Sequence, residues 1–190
     1  MQTAAPPITA SIRTVAVIGA GRAGRSFALA CAAAGLHVVL EDVMPARLRQ
    51  AEADFADLRL QAAPGSLELA STVEDAVHAA DIVIDFVPDE LESKLEIFSL
   101  LDRMAPPKTI LCTPSNGISI TDLASCTYRP ERCFSVRGIL SPSIRLLHPA
   151  ATDPAVINAT RQFFELLGNQ VQVELDPELP MLMKNIVYTR

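Results

Sequence analysis

A doubly wound α/β domain, a mostly parallel sheet with helices on both faces, is the fold class this sequence predicts. Three observations carry it. Short apolar runs alternate with helix-length segments along nearly the whole chain, the order that builds parallel sheets. Of 190 residues, 49% are hydrophobic and only 5% aromatic, so aliphatic side chains supply the bulk, as in strands covered on both faces. The first apolar run enters Gly19-Ala20-Gly21-Arg22-Ala23-Gly24, and the second closes on Glu41-Asp42.

That last observation is the most specific. G-x-G-x-x-G between a strand and a helix, with an acid ending the next strand, is the fingerprint of a dinucleotide-binding Rossmann unit. Gly19 permits the turn out of the strand. Gly21 leaves room for a pyrophosphate against the backbone, and Gly24 lets the helix pack close to the sheet. The helix N-terminus offers N–H groups and a partial positive charge to phosphate. Asp42 stands where a carboxylate accepts the hydroxyls of an adenosine ribose. Residues Gly19, Ala20, Gly21, Arg22, Ala23, Gly24 and Asp42 are the expected cofactor contacts. NAD is expected over NADP, because Glu41 and Asp42 repel a 2′-phosphate and Val43-Met44 supplies no arginine.

The elements follow in order. Residues 14–18 form the first strand, and 21–34 the first helix with Gly35 as its C-cap. Residues 37–41 form the second strand. Pro45 opens the next helix, which runs to 61 and ends at Pro64-Gly65. A short strand at 67–70 precedes a short helix at 72–79 with Thr72 as N-cap. Residues 81–87 make the most buried strand, stopped by Pro88. The helix at 90–104 shows Leu91, Leu95, Phe98 and Leu101 or Met104 on one face, and Pro106-Pro107 breaks it. A strand at 109–113, a short helix at 119–125 and a strand at 132–139 come next. Residues 141–149 read as a Pro-bounded loop. Asp153 caps a helix to Leu167, closed by Gly168, and 170–175 is the last strand. Residues 1–12 read as a flexible tail, 13–179 as the Rossmann domain, and 180–190 as the start of a C-terminal helix.

Composition excludes several classes. A net charge of −6 argues against nucleic acid, which needs a basic face. No apolar run is long enough to span a bilayer. The N-terminus lacks the basic and apolar regions of a signal peptide. The cysteines, Cys31, Cys112, Cys126 and Cys133, form no C-x-x-C pair and no metal-ligand spacing, and they read as reduced thiols of a cytoplasmic protein.

Four segments together resemble the N-terminal NAD-binding domain of the 3-hydroxyacyl-CoA dehydrogenases, over residues 13–185. They are Val17-Ile-Gly-Ala-Gly-Arg-Ala-Gly24, Asp81-Ile-Val-Ile-Asp-Phe-Val-Pro-Asp-Glu90, Ile118-Ser-Ile-Thr-Asp-Leu-Ala124 with Arg129-Pro-Glu-Arg132, and Pro180-Met-Leu-Met-Lys-Asn185. The resemblance implies an oxidoreductase of fatty acid metabolism that moves hydride between NAD and C3 of a hydroxyacyl-type, acyl-CoA substrate. It implies that Val87, Pro88, Asp89 and Lys94 flank the mouth of the cofactor cleft, and that Asn116 and Asn185 belong to the active site.

The chain departs from the family where proton transfer is done. The family pairs a His with a Glu as general base. Counted without a gap, Arg137 stands at the His, and anchored on Pro142, Gly138 does; the Glu falls at Pro149 or Ala150. Guanidinium does not deprotonate. His148 is the candidate substitute, swinging from its loop into the cleft, and Arg137 with Arg145 is a candidate anion pocket. The family's helical arm between Asp42 and Ile82 is shortened, and Asn185 leads toward a helical domain that builds the family's dimer. A homodimer or partner chain is therefore expected at the apolar C-terminal helix. Two other readings stand beside the oxidoreductase: a catalytically silent dinucleotide-binding module, and half of an enzyme completed by another chain.

Overall fold

In the computed structural model, residues 12–61 and 64–176 are described. The strands are β1 (Thr14–Ile18), β2 (His37–Glu41), β3 (Ser66–Ala70), β4 (Ile82–Asp85), β5 (Ile110–Thr113), β6 (Cys133–Arg137), β7 (Ser143–His148) and β8 (Gln170–Leu175). The helices are α1 (Arg22–Ala33), α2 (Pro45–Gln61), α3 (Val73–Val77), α4 (Leu91–Met104), α5 (Ile120–Ala124) and α6 (Pro154–Leu166). They build one 8-stranded sheet in the order β3-β2-β1-β4-β5-β6-β7-β8. Strands β1 to β6 are mutually parallel. Strand β7 turns antiparallel to β6, and β8 runs parallel to β7.

Alternation along each strand divides the core in two. Val15 and Val17 face α1, α2 and α6, where Phe27 meets Phe164 at 6.3 Å and Phe163 packs edge-on to Phe164 at 4.9 Å. Ala16 and Ile18 face α3, α4 and α5. Strand β1 pairs with β2 on one side and β4 on the other, and the crossovers from these strands leave to opposite faces. A crevice therefore opens at the carboxyl end of β1, the switch point where open α/β sheets bind ligands.

Two expectations are corrected here. Residues 141–149 are not a loop. Gly138 takes a positive φ of 76°, and Ser141 N–H closes a turn onto its carbonyl at 2.7 Å, so the chain reverses and Ser143–His148 adds a strand. The apolar stripe of α4 is rotated from the expected one. Its buried positions are Lys94, Ile97, Phe98, Leu101 and Asp102, a spacing that places the lysine inside the domain. The expected tail at 1–12, apart from Ile12, and the helix at 180–190 with Asn185 lie outside the described residues.

At the amino edge of the sheet, Asp81 Oδ2 accepts the backbone N–H groups of Arg13 and Thr14, each at 3.0 Å, and Oδ1 takes Lys108 Nζ at 3.0 Å. Burial works against this charge, but those two N–H groups and the ammonium outweigh it and hold the carboxyl below its ordinary range. A lowered folded-state pKa means that the stabilisation exists above the unfolded value and disappears as pH falls through the folded one. Asp81→Asn is expected to lower the Tm by a few degrees at pH 7, with the gap to wild type closing below about pH 4. Thermal melts from pH 3 to pH 8 check this; a gap independent of pH would refute it.

Candidate functional site

The crevice is built by the loop between β1 and α1. Gly19 has φ of +97°, and its N–H donates to the Glu41 carbonyl at 2.8 Å, which ties the turn to the end of β2. At Gly24 a Cβ would stand 1.9 Å from the Gly19 carbonyl oxygen, so only glycine lets the helix begin here. At Gly21 a Cβ would meet nothing within 4 Å; its side of the loop is open space. Gly21 is the N-cap of α1, and no side chain caps it. Uncapped N–H groups facing an open volume suit a pyrophosphate.

Asp42 is only 4% exposed, and its carboxylate is oriented from three directions. Oδ2 accepts Ala20 N–H at 2.8 Å and lies 3.2 Å from Arg47 Nη1, while Oδ1 accepts Met44 N–H at 2.8 Å. A carboxylate offers about four acceptor positions, which leaves one for a ribose hydroxyl. Burial, with the charge on Asp42 behind it, pushes the neighbouring Glu41 carboxyl up. Arg47 went unrecognised in the sequence reading, which looked for arginine only at Val43-Met44. The signal was there: Pro45 starts a helix, and a residue in its first turn lies back over the strand end.

On the other half of the crevice, Asp89 Oδ2 accepts the Asn116 N–H at 3.3 Å and joins the loops after β4 and β5. Ser135 Oγ donates to the Ser115 carbonyl at 3.0 Å and brings the end of β6 alongside. Asn116 lines a recess of about 250 Å³ with Pro114, Val136, Gly138, Ile139 and Leu140. A larger hollow of about 500 Å³ lies at the amino edge beside Asp81 and Lys108, away from every candidate residue of the cleft.

Three candidate placements differ from expectation. Lys94 is 0% exposed, and its Nζ lies 2.6 Å from Oδ1 of Asp85, itself 0% exposed. It does not stand at the mouth of the cleft, because α4 turns it inward onto the last residue of β4. Burial pushes the Asp85 carboxyl up, and the ammonium is the main counterweight. The signal missed was a lone Asp in an apolar strand followed by a Lys on the apolar stripe of the next helix. His148 does not reach the Asn116 recess. It is a strand residue facing Phe134, ring centroids 6.4 Å apart, with Nδ1 2.8 Å from the Pro149 carbonyl. Arg145 does not form an open anion pocket with Arg137; its guanidinium is taken by Glu174, Nε at 2.7 Å and Nη2 at 2.5 Å. Val87 and Pro88 lie at the crevice, in the turn that follows Asp85.

A phosphate loop, an acid at the end of the second strand and an opposing pair of loops define a dinucleotide-binding Rossmann domain of the kind oxidoreductases use. The profile of the family "3-hydroxyacyl-CoA dehydrogenase, NAD binding domain" matches residues 14–176, and the chain belongs to that family. NAD is its cofactor. A 3-hydroxybutyryl-CoA dehydrogenase of Bradyrhizobium diazoefficiens is 33% identical over 185 residues, 89% of this chain and 63% of the relative. A 5-formyl-3-hydroxy-2-methylpyridine 4-carboxylate 5-dehydrogenase of Mesorhizobium japonicum is 28% identical over 93% of this chain and 61% of its own. The solved (S)-3-hydroxybutyryl-CoA dehydrogenase of Ralstonia eutropha superposes with a TM-score of 0.77 at 24% identity, over 87% of this chain and 64% of that one, a likeness of fold. The chain thus spans about three fifths of the length of these relatives.

Two outcomes are expected from the loop. Gly21→Val fills the open space without touching the fold and abolishes NADH binding, whereas Gly24→Ala forces the helix off Gly19 and unfolds the domain. Circular dichroism with NADH fluorescence titration separates the two; unchanged affinity in folded Gly21→Val would show that phosphate binds elsewhere. Asp42→Ala removes the ribose acceptor and releases Arg47 for a 2′-phosphate. The NADH-to-NADPH affinity ratio should fall about tenfold or more, the value of one charge-assisted hydrogen bond. Calorimetric titration of both cofactors reads it, and an unchanged ratio would refute the role of Asp42.

Proposed function

We propose that the chain is the cofactor-binding part of an NAD-dependent oxidoreductase that passes hydride between NAD and a hydroxyacyl-type small molecule. The observation that carries this reading is the cleft, with its open Gly21, uncapped helix end and oriented Asp42. Likeness to dehydrogenases over nearly the whole chain does not favour a catalytically silent module. The Mesorhizobium relative is named for a carboxylate substrate, which supports a carboxyl-bearing compound beside acyl-CoA.

When bound, NAD accepts or supplies the hydride. The chain's own residues then divide the remaining work. The loop at residues 19–24 holds phosphate, Asp42 holds the adenosine ribose, and Asp89 with Val87 and Pro88 borders the other half. Asn116 donates a hydrogen bond to a carbonyl or hydroxyl oxygen in the recess. Neither Arg137 nor His148 takes a proton there: the first does not deprotonate and the second faces Phe134. By the family resemblance, residues 13–179 make up the cofactor domain, and Asn185, in the segment 180–190, belongs to the active site. The apolar segment 180–190 is the proposed contact for a second copy or a partner chain, and the cytoplasm is the proposed compartment.

The expected outcome is tight NADH binding with little turnover. Loss of a positioned general base costs about 10²–10⁴-fold, so NADH oxidation with acetoacetyl-CoA should be barely measurable even at high protein concentration. Turnover of many per second would point to a base not recognised here, and failure to bind NADH would overturn the reading itself.

A further inference from the structure

We propose that Arg137 binds a carboxylate of the substrate, which makes the preferred substrate a free hydroxy acid or its oxo form. The proposal rests on the oxidoreductase reading above and adds the substrate class. Its first support is position. Thr113, the last residue of β5, pairs with Ser135, so β6 runs two residues further and Arg137 stands beyond the carboxyl edge of the sheet. The residues that follow it, Gly138 and Ile139, line the recess that holds Asn116.

Its second support is an unmet bonding requirement. The Nε of Arg137 is buried and has no hydrogen-bond partner among the described residues, and Glu174 feels the charge of this guanidinium. Buried donors are almost always paired, and a charged one left unpaired is costly. Two buried cationic side chains among the described residues show the contrast. Arg129 gives its donors to Asp102 and to the carbonyls of Asp102, Ala105 and Pro106, and Lys94 gives its ammonium to Asp85.

Its third support is the neighbour. Arg145 is the cross-strand partner of Arg137, and the nearby acid is Glu174. Both Glu174 oxygens go to Arg145, at 2.7 and 2.5 Å, in the forked geometry that guanidinium forms with carboxylate. The two arginines thus face one acid, and the acid is fully engaged by one of them. Arg137 keeps a planar fork of donors and a surplus positive charge. A carboxylate is the complementary group, since it accepts two parallel N–H bonds from one guanidinium. A neutral thioester carbonyl lacks both the second acceptor and the charge.

The experiment titrates 3-hydroxybutyrate and its methyl ester into the chain, with and without saturating NADH, by calorimetry. Reduced cofactor cannot oxidise the alcohol, so binding is read without turnover. The acid should bind about tenfold or more tightly than the ester. Arg137→Gln should erase that preference and leave NADH affinity and Tm unchanged or slightly raised, because it removes an unpaired buried donor. Glu174→Gln should increase the preference for the acid, since it releases Arg145 to join Arg137. An acid-to-ester ratio near one in both cofactor states would overturn the proposal. So would an unaltered ratio in Arg137→Gln, or a large fall in its Tm, which would mark Arg137 as structural. Loss of NADH binding by the wild-type chain would overturn the oxidoreductase reading instead, while the cofactor-free titration would still decide the anion site.

Discussion

The first turn of α1 lies against the exit of β1 so closely that a single Cβ at Gly24 would stand 1.9 Å from the Gly19 carbonyl oxygen. That approach sets the direction in which the helix leaves the sheet, and the other parts of the cleft take their positions from it. The Gly19 N–H reaches the Glu41 carbonyl and the Ala20 N–H reaches Asp42, so the end of β2 is hung on the same loop. Phe86, just after β4, packs at the same point: its side chain would lie 3.3 Å from a Gly24 Cβ, and its ring is 5.7 Å from Phe27. Three strand ends thus converge on a contact between two glycines. Close packing of this kind is stiff, because neither partner has a side chain that can adjust.

The second half of the cleft is held by charge rather than by close approach. Helix α4 is clamped at both ends by ion pairs taken out of water. Near its start Lys94 meets Asp85, and near its end Asp102 meets Arg129, whose remaining donors reach the last carbonyls of the helix. Such pairs contribute little net stability against an apolar replacement, yet breaking one side costs about 3–5 kcal/mol because the other charge stays behind. Their effect is geometric. Asp85 is the last residue of β4, its Oδ1 also accepts the Val87 N–H, and the turn that carries Asp89 is fixed between that bond and the helix. The loop carrying Asp89, whose carboxylate takes the Asn116 N–H from the loop after β5, starts from a rigid base.

The turn between β1 and α1 and the oriented acid at the end of β2 were legible in the sequence because their constraints are local. Gly19, Gly21, Gly24 and Asp42 are constrained by the turn and strand they occupy, and the spacing alone reports them. Most elements were legible for the same reason: periodicity and punctuation by Gly and Pro are local signals. What depended on pairing across the sheet was not. Ser143–His148 reads as a loop until β6 and β8 are present to take its hydrogen bonds, and its status decides where His148 faces. Lys94 has the chemistry of a solvated or ligand-facing residue, and the rotation of α4 about its axis, together with the lone Asp85 in an apolar strand, marks it as a core cation. Arg47 lies five positions beyond the acid it contacts, a relation made by the helix and not by adjacency.

The reversal of β7 and β8 has a mechanical consequence. Because β8 runs against the main direction of the sheet, the chain leaves it beside the start of α5, where Asp176 Oδ2 accepts the Ser119 hydroxyl at 2.6 Å and the Thr121 N–H at 2.9 Å. Ser119 is the N-cap of α5 and lies three residues after Asn116. The strap that carries the polypeptide onward is therefore fastened to the same short span as the asparagine in the recess. A load on the chain at Asp176 therefore reaches the start of α5 directly, three residues from Asn116, as well as the sheet edge through β8.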